Sequence, residues 1–229
     1  MESNGKAAVA EFVATFALVF IGAGAVIVSF GADVGLVGIA LAHGLVLAIM
    51  VSVTGHISGG LVNPAVTVGL WVVGKIATFR ATVLIVAQLA GAIAGALLLK
   101  AVMPNELFDA ARGGATLLAP GVEVWQGILL EAILTFFLVF AVFGTAVDDR
   151  GPFGKTAGLT IGLVLTFDIL VGGPLTGASM NPARTFGPGL VSGSGANWWI
   201  FWVGPIGGGV VAAVLYWAAF LRGKEPATP

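Results

Sequence analysis

The chain carries Ser58-Gly59-Gly60-Leu61-Val62-Asn63-Pro64-Ala65-Val66-Thr67 in its first half and Gly177-Ala178-Ser179-Met180-Asn181-Pro182-Ala183-Arg184 in its second. Both run in the same order: a Gly-containing approach, Asn-Pro-Ala, then an apolar turn or two. Asn is a preferred N-cap and Pro suits the first helical position, so Asn63-Pro64 and Asn181-Pro182 both read as helix starts. The segments Gly59–Trp71 and Gly177–Leu190 are apolar enough to enter a membrane but too short to cross one, because a crossing helix needs about 20 apolar residues. They therefore read as half-helices. A lone Asn-Pro is best explained as a capped helix start, but here two of the five Asn in the chain precede Pro-Ala.

Outward from these motifs the two halves of the chain repeat. Glu11, Thr15, Phe16 and Leu18-Val19-Phe20 recur as Glu131, Thr135, Phe136 and Leu138-Val139-Phe140. Gly44-Leu45-Val46-Leu47 recurs as Gly162-Leu163-Val164-Leu165, Gly55 as Gly173, and Gly59 as Gly177. The repeats cover approximately 6–102 and 122–221. Of the 229 residues, 58% are hydrophobic and 9% charged, against roughly 25% charged in a soluble domain. Six apolar runs, near 6–29, 36–54, 79–102, 122–147, 156–171 and 197–221, read as membrane spans. Lys6 and the run from Ala7 to Phe30 read as a retained first span, not a removable signal peptide.

Each half has three spans, so the second copy enters the membrane inverted relative to the first, and the two half-helices dip from opposite sides. The fold class is an all-α membrane protein: six transmembrane helices plus two re-entrant half-helices in an inverted three-span tandem repeat, a single domain over 1–229. Basic residues mark the cytoplasmic side. An N-in orientation puts Lys6, Lys75, Arg80, Arg150, Lys155, Arg222 and Lys224 inside and only Lys100 and Arg112 outside, with both termini cytoplasmic. Interrupted helices in inverted repeats place the functional site near the midplane, and non-helical backbone at that depth must be buried or line a wet path.

The paired motifs, with Arg184 directly after the second, resemble the aquaporin, or major intrinsic protein, family over nearly the whole chain. The resemblance implies a passive channel and a homotetramer with one pore per subunit. Its physics suits uncharged solutes. Two half-helix N-termini, each worth about half a positive charge, would face the pore centre and repel cations. The Asn63 and Asn181 amides would donate hydrogen bonds to a passing water oxygen, turning its own hydrogens outward. Backbone carbonyls of Gly59, Gly60, Leu61 and Val62, and of Gly177, Ala178, Ser179 and Met180, would supply a ladder of acceptors.

The family register places a selectivity filter at His43, Ile169, Ala178 and Arg184. Arg184 would bind permeant oxygens and exclude cations. A lone His in an apolar span also reads as a satisfied interior residue, and only the register favours His43 as a filter group. The His/Ile/small/Arg set looks like the tonoplast-intrinsic-protein type, many of whose members are similar to ammonia- and peroxide-conducting channels. The extra loop histidine of that type is absent from Met103–Glu123. Glycerol-conducting relatives tend to carry Asp after the Arg and a basic residue four places later, where this chain has Thr185 and Gly189; Phe201-Trp202 also resembles water channels. Water therefore ranks first, ammonia or hydrogen peroxide next, and glycerol or another small neutral solute after them.

Glu11 and Glu131 are mates in the repeat, which favours a structural role: accepting hydrogen bonds from backbone N–H groups of the re-entrant segments. Asp168 has no mate; tuning Arg184 and anchoring the outer loop are both open to it. His56 falls at the cytoplasmic vestibule, where a plain lining role explains it as well as a pH gate does. Small residues in Gly91-Ala92-Ile93-Ala94-Gly95 and Gly207-Gly208-Gly209 suit close helix packing.

A secondary transporter is the reading from another class, but it needs coupling-ion ligands at the midplane, and no paired carboxylates are placed there. No catalytic triad, metal-ligand cluster or phosphate loop emerges, so the expectation is neither an enzyme nor a cofactor or metal protein. A net charge of −1 gives no basic surface for nucleic acid. Absence of cysteine removes disulfides and leaves thiol reagents without a cysteine target. The short termini point to a cell (plasma) membrane, the filter type to a vacuolar one.

Overall fold

The computed structural model describes residues 2–150 and 154–223; Lys224, assigned above to the cytoplasmic side, lies outside the described residues. The chain is helical in the order α1 (Asn4–Val28), α2 (Gly35–Ser58), α3 (Pro64–Val72), α4 (Thr78–Val102), the short α5 (Asn105–Ala110), α6 (Val124–Val142), α7 (Ala157–Thr176), α8 (Pro182–Ser192) and α9 (Ile200–Tyr216). A 3-10 turn covers Arg112–Gly114, and α6 and α9 each run on into a π-helical turn, Phe143–Val147 and Trp217–Leu221. Six of these helices are long and apolar enough to cross a membrane. The protein is an all-α, multi-pass integral membrane protein.

Two span ends differ from the sequence expectation. The second span continues past 54 to Ser58, and the fifth past 171 to Thr176. Gly55, Gly172-Gly173 and Pro174 do not break these helices, because packing within a bundle tolerates such residues. The stop comes at Gly59 and Gly177, whose φ of 106° and 80° form left-handed C-caps.

α3 and α8 are the two half-helices that start within the Asn-Pro-Ala motifs. Each is N-capped by its Asn, with Asn63 Oδ1 accepting from Ala65 N at 2.8 Å and Asn181 Oδ1 from Ala183 N at 3.0 Å. Within each half the first and third long helices pack together, α1 on α4 and α6 on α9; α2 meets α7, while α3 rests on α9 and α8 on α4. Close crossings need bare backbone: a methyl at Gly44 would lie 2.6 Å from the Gly162 carbonyl oxygen, and one at Gly208 would collide with the Ala132 carbonyl. Gly207, by contrast, meets nothing within 4 Å.

On the face that carries residues 2–6, denoted inner, Asp148 ends the π turn after α6. Its Oδ1 accepts from Arg150 Nε at 2.7 Å, its Oδ2 accepts from Arg150 Nη2 and from the Tyr216 hydroxyl at 3.0 Å, and Arg150 Nη2 also donates to the Phe220 carbonyl at 3.0 Å. The Arg150 guanidinium holds the Asp148 carboxyl well below the usual carboxylate range. A carboxyl depressed on folding stabilises the fold fully above its ordinary pKa, about 3.9, and loses that contribution as pH falls toward the folded value. Asp148→Asn should therefore lower the thermal midpoint at pH 7 by about 2–4 °C. The gap from the parent should close as the pH of the melts is lowered below the carboxylate range; a gap independent of pH would show that the ion pair does not cause it.

Candidate pore

The two Asn-Pro-Ala motifs meet in the middle of the bundle through their own cap residues. Asn63 Nδ2 donates to the Met180 carbonyl and Asn181 Nδ2 to the Val62 carbonyl, both at 2.8 Å. Each carboxamide has two N–H donors, so one remains on each side. Both Asn line a central cavity whose other walls are mostly aliphatic, among them Leu18, Leu47, Val51, Val66, Leu138 and Leu165. The N-termini of α3 and α8 thus approach one another beside a path with few polar groups.

The chain leading into each half-helix is strained. Val62, Ala178 and Met180 have φ of 56°, 45° and 53°, and left-handed geometry at a β-branched residue such as Val62 is a genuine outlier. Two buried carboxylates hold it. Glu11 accepts from Leu61 N at 2.9 Å, Val62 N at 2.6 Å, the Ser58 hydroxyl at 2.6 Å and Gln88 Nε2 at 2.7 Å. Glu131 accepts from Ser179 N at 2.9 Å, Met180 N at 2.7 Å and the Thr176 hydroxyl at 2.7 Å. Both side chains are fully buried. These bonds turn the local N–H groups toward the acids and away from the cavity.

The residues whose carbonyls the sequence reading takes as acceptors lie at and just behind the cavity wall. Gly59, Gly60, Leu61, Ala178 and Ser179 line the cavity; Val62, Met180 and Gly177 do not. The Val62 and Met180 carbonyls each accept one hydrogen bond from the opposite Asn. Thr116 packs against Gly177, where a methyl would lie 3.1 Å from Thr116 Cα.

Of the four expected filter residues, His43, Ala178 and Arg184 line the cavity together. His43 Nδ1 faces the Ile39 carbonyl at 2.9 Å and must carry a hydrogen there, which leaves Nε2 as the acceptor 3.5 Å from Arg184 Nη2. Arg184 Nη1 donates to the Gly114 carbonyl at 2.8 Å, while its Nε has no partner among the described residues. Ile169 is 2% exposed, one turn from Gly173 on α7. Asp168 is also buried, and neither of its carboxyl oxygens meets a hydrogen-bond partner among the described residues. His56 and Lys155 line a polar recess at the inner face that shares Val51, Gly59 and Ala146 with the central cavity. Among the described residues no group of three or more His, Cys, Asp or Glu is gathered as a metal site.

Sequence reasoning missed the outer loop. Besides Gly114, that loop supplies Thr116, whose hydroxyl lies 2.6 Å from that of Thr185, itself 2.6 Å from the Ser179 hydroxyl. Ser179 donates on to the Asn181 carbonyl at 2.9 Å, so this hydroxyl chain ties loop to half-helix and ends on a carbonyl. Gln88 was also missed, although a single amide inside an apolar span was a readable sign of a buried polar partner.

The Major intrinsic protein family model matches residues 1–216. The chain belongs to the major intrinsic protein family. Aquaporin TIP4-4 of Zea mays is 44% identical over 96% of this chain and 90% of its own length. Probable aquaporin TIP3-2 of Arabidopsis thaliana is 46% identical over 92% of this chain and 82% of its own. In fold, the chain is similar to the X-ray structure of the aquaglyceroporin from Plasmodium falciparum, with a TM-score of 0.85 at 24% identity, covering 96% of this chain and 98% of that one. Members of the major intrinsic protein family are channels, not enzymes, and the chemistry of the site is passive passage.

Proposed function

We propose that this protein conducts water down osmotic gradients through the central cavity and excludes ions and protons. The observation that carries the reading is the reciprocal Asn pair. With one N–H of each amide fixed on the opposite motif, the second N–H of each is left for a single water oxygen at the midplane. A water held by both would point its hydrogens to the two exits, so it could not accept a proton from either neighbour. The positive ends of α3 and α8 oppose cations at the same point. Aliphatic walls offer a permeant molecule few competing bonds, and carbonyls of Gly59, Gly60, Leu61, Ala178 and Ser179 supply acceptors on both approaches.

Ammonia and hydrogen peroxide are the second permeant class we infer. His43 opposite Arg184, the small Ala178 beside them and the relatives named as TIP-type aquaporins support that choice. The same relatives favour a vacuolar-type membrane over the plasma membrane. We further infer an N-in topology, one channel unit of two inverted repeats, and a homotetramer with one pore per subunit. Reconstituted liposomes under osmotic shock test the core claim: light scattering should report fast water flux with a low activation energy, linear in the gradient. Saturating, counterflow-stimulated uptake would replace the channel by a carrier. Glycerol entry as fast as water would move the protein to the glycerol-conducting class.

A further inference from the structure

We propose that Gly22 and Ala23, adjacent residues of α1 far in sequence from either Asn-Pro-Ala motif, set the filter aperture by seating both His43 and Arg184. The proposal rests on the reading of His43 and Arg184 as the filter. Gly22 is buried against the imidazole: a methyl there would lie 2.5 Å from both Cδ2 and Nε2 of His43 and 3.0 Å from Cε1. Carbon contacts settle at about 3.5–4.0 Å, so any side chain at 22 would displace the ring by roughly 1 Å. The ring cannot retreat along its own helix, because Nδ1 is held by the Ile39 carbonyl at 2.9 Å. Its free side is the cavity, which it lines with Arg184.

The neighbouring residue supports the other half of the filter. Ala23 is fully buried beneath the outer loop, and a methyl at Gly114 would lie 2.7 Å from the Ala23 carbonyl oxygen and 2.8 Å from its Cβ. Gly114 has φ of 71° and presents its carbonyl to Arg184 Nη1 at 2.8 Å. One backbone segment of α1 is therefore the floor on which the imidazole rests directly and the guanidinium rests through Gly114. Gly22 is a positioning residue: it acts through His43, and its lack of a side chain keeps the ring back from the path.

The experiment is a double-mutant cycle in proteoliposomes, with osmotic water permeability per channel as the readout and thermal melts as the folding control. Gly22→Ala should cut water permeability about tenfold, equivalent to about 1.4 kcal/mol in the barrier. In a His43→Ala background, Gly22→Ala should change nothing, because the methyl fills space the ring has vacated. Gly207→Ala, on the open side of α9, should match the parent. If Gly22→Ala fails to fold, the double variant should recover folding. Equal effects of Gly22→Ala with and without His43, or failure of both single and double variants to fold, would overturn the proposal. The filter reading fails separately: His43→Ala would then leave the ratio of glycerol to water permeability at the parent value.

Discussion

Glu131→Ala is expected to destabilise the folded channel by about 2–6 kcal/mol, enough to lower its thermal midpoint by several degrees. The substitution strands Ser179 N and Met180 N, both donors to the carboxylate at 2.9 and 2.7 Å, in a fully buried site. Each unsatisfied buried donor costs about 1–3 kcal/mol, against a total stability of about 5–15 kcal/mol for an ordinary domain. The backbone it restrains is also the strained part, with Ala178 and Met180 at φ of 45° and 53°; once released, it would relax out of the left-handed region. Glu11→Ala removes as many backbone bonds but should cost less. Gln88 donates to Glu11 and lies beside Thr67, so its amide can turn and offer an oxygen to the stranded N–H groups. At Glu131 the neighbouring hydroxyl, that of Thr176, already accepts from Ala178 N at 3.1 Å and is the poorer replacement. Melting of the purified variants, followed by tryptophan fluorescence, should therefore rank parent above Glu11→Ala above Glu131→Ala. Equal midpoints for all three would mean that the carboxylates do not hold the re-entrant segments.

That ranking marks how far the sequence could be read. Span count, half-helix starts and the location of both acids follow from local rules: apolar length, Asn-Pro capping and the repeat that pairs Glu11 with Glu131. Helix ends at Ser58 and Thr176 were less legible, because Gly55 and Pro174 are breakers in water and tolerated in a packed bundle. The partners of the approach carbonyls are not legible either, because a sequence gives the order of backbone groups and not what they meet. Nothing in Val62 or Met180 says that the opposite Asn takes its carbonyl. Ile169 is placed by a family register, and how its side chain is turned about α7 is not in a count of residues. Gly114 and Thr116 were invisible for the same reason: a loop that folds back uses main-chain oxygen and small hydroxyls, which carry no pattern.

Arg184→Ala is expected to raise glycerol permeability about tenfold or more, equivalent to about 1.4 kcal/mol off the barrier, and to weaken exclusion of cations. Two effects combine. The guanidinium is the one permanent charge among the cavity-lining side chains, and its removal leaves the half-helix ends as the remaining positive features. Its bond to the Gly114 carbonyl at 2.8 Å also disappears, so the outer loop loses its tie to α8 except through Thr116 and Thr185. Arg184→Lys separates these effects. A lysine keeps the charge but has no rigid fork with which to reach Gly114 and face His43 at once. It should retain most of the cation exclusion while admitting more glycerol than the parent. Proton leak, read from a pH-sensitive dye inside the liposomes, should rise for Arg184→Ala yet stay far below that of an open pore, because Asn63 and Asn181 would still orient the central water. If Arg184→Ala kept the parent's glycerol and cation profile, the constriction would lie elsewhere along the cavity. Full proton conduction in that variant would make the arginine, and not the Asn pair, the principal proton barrier.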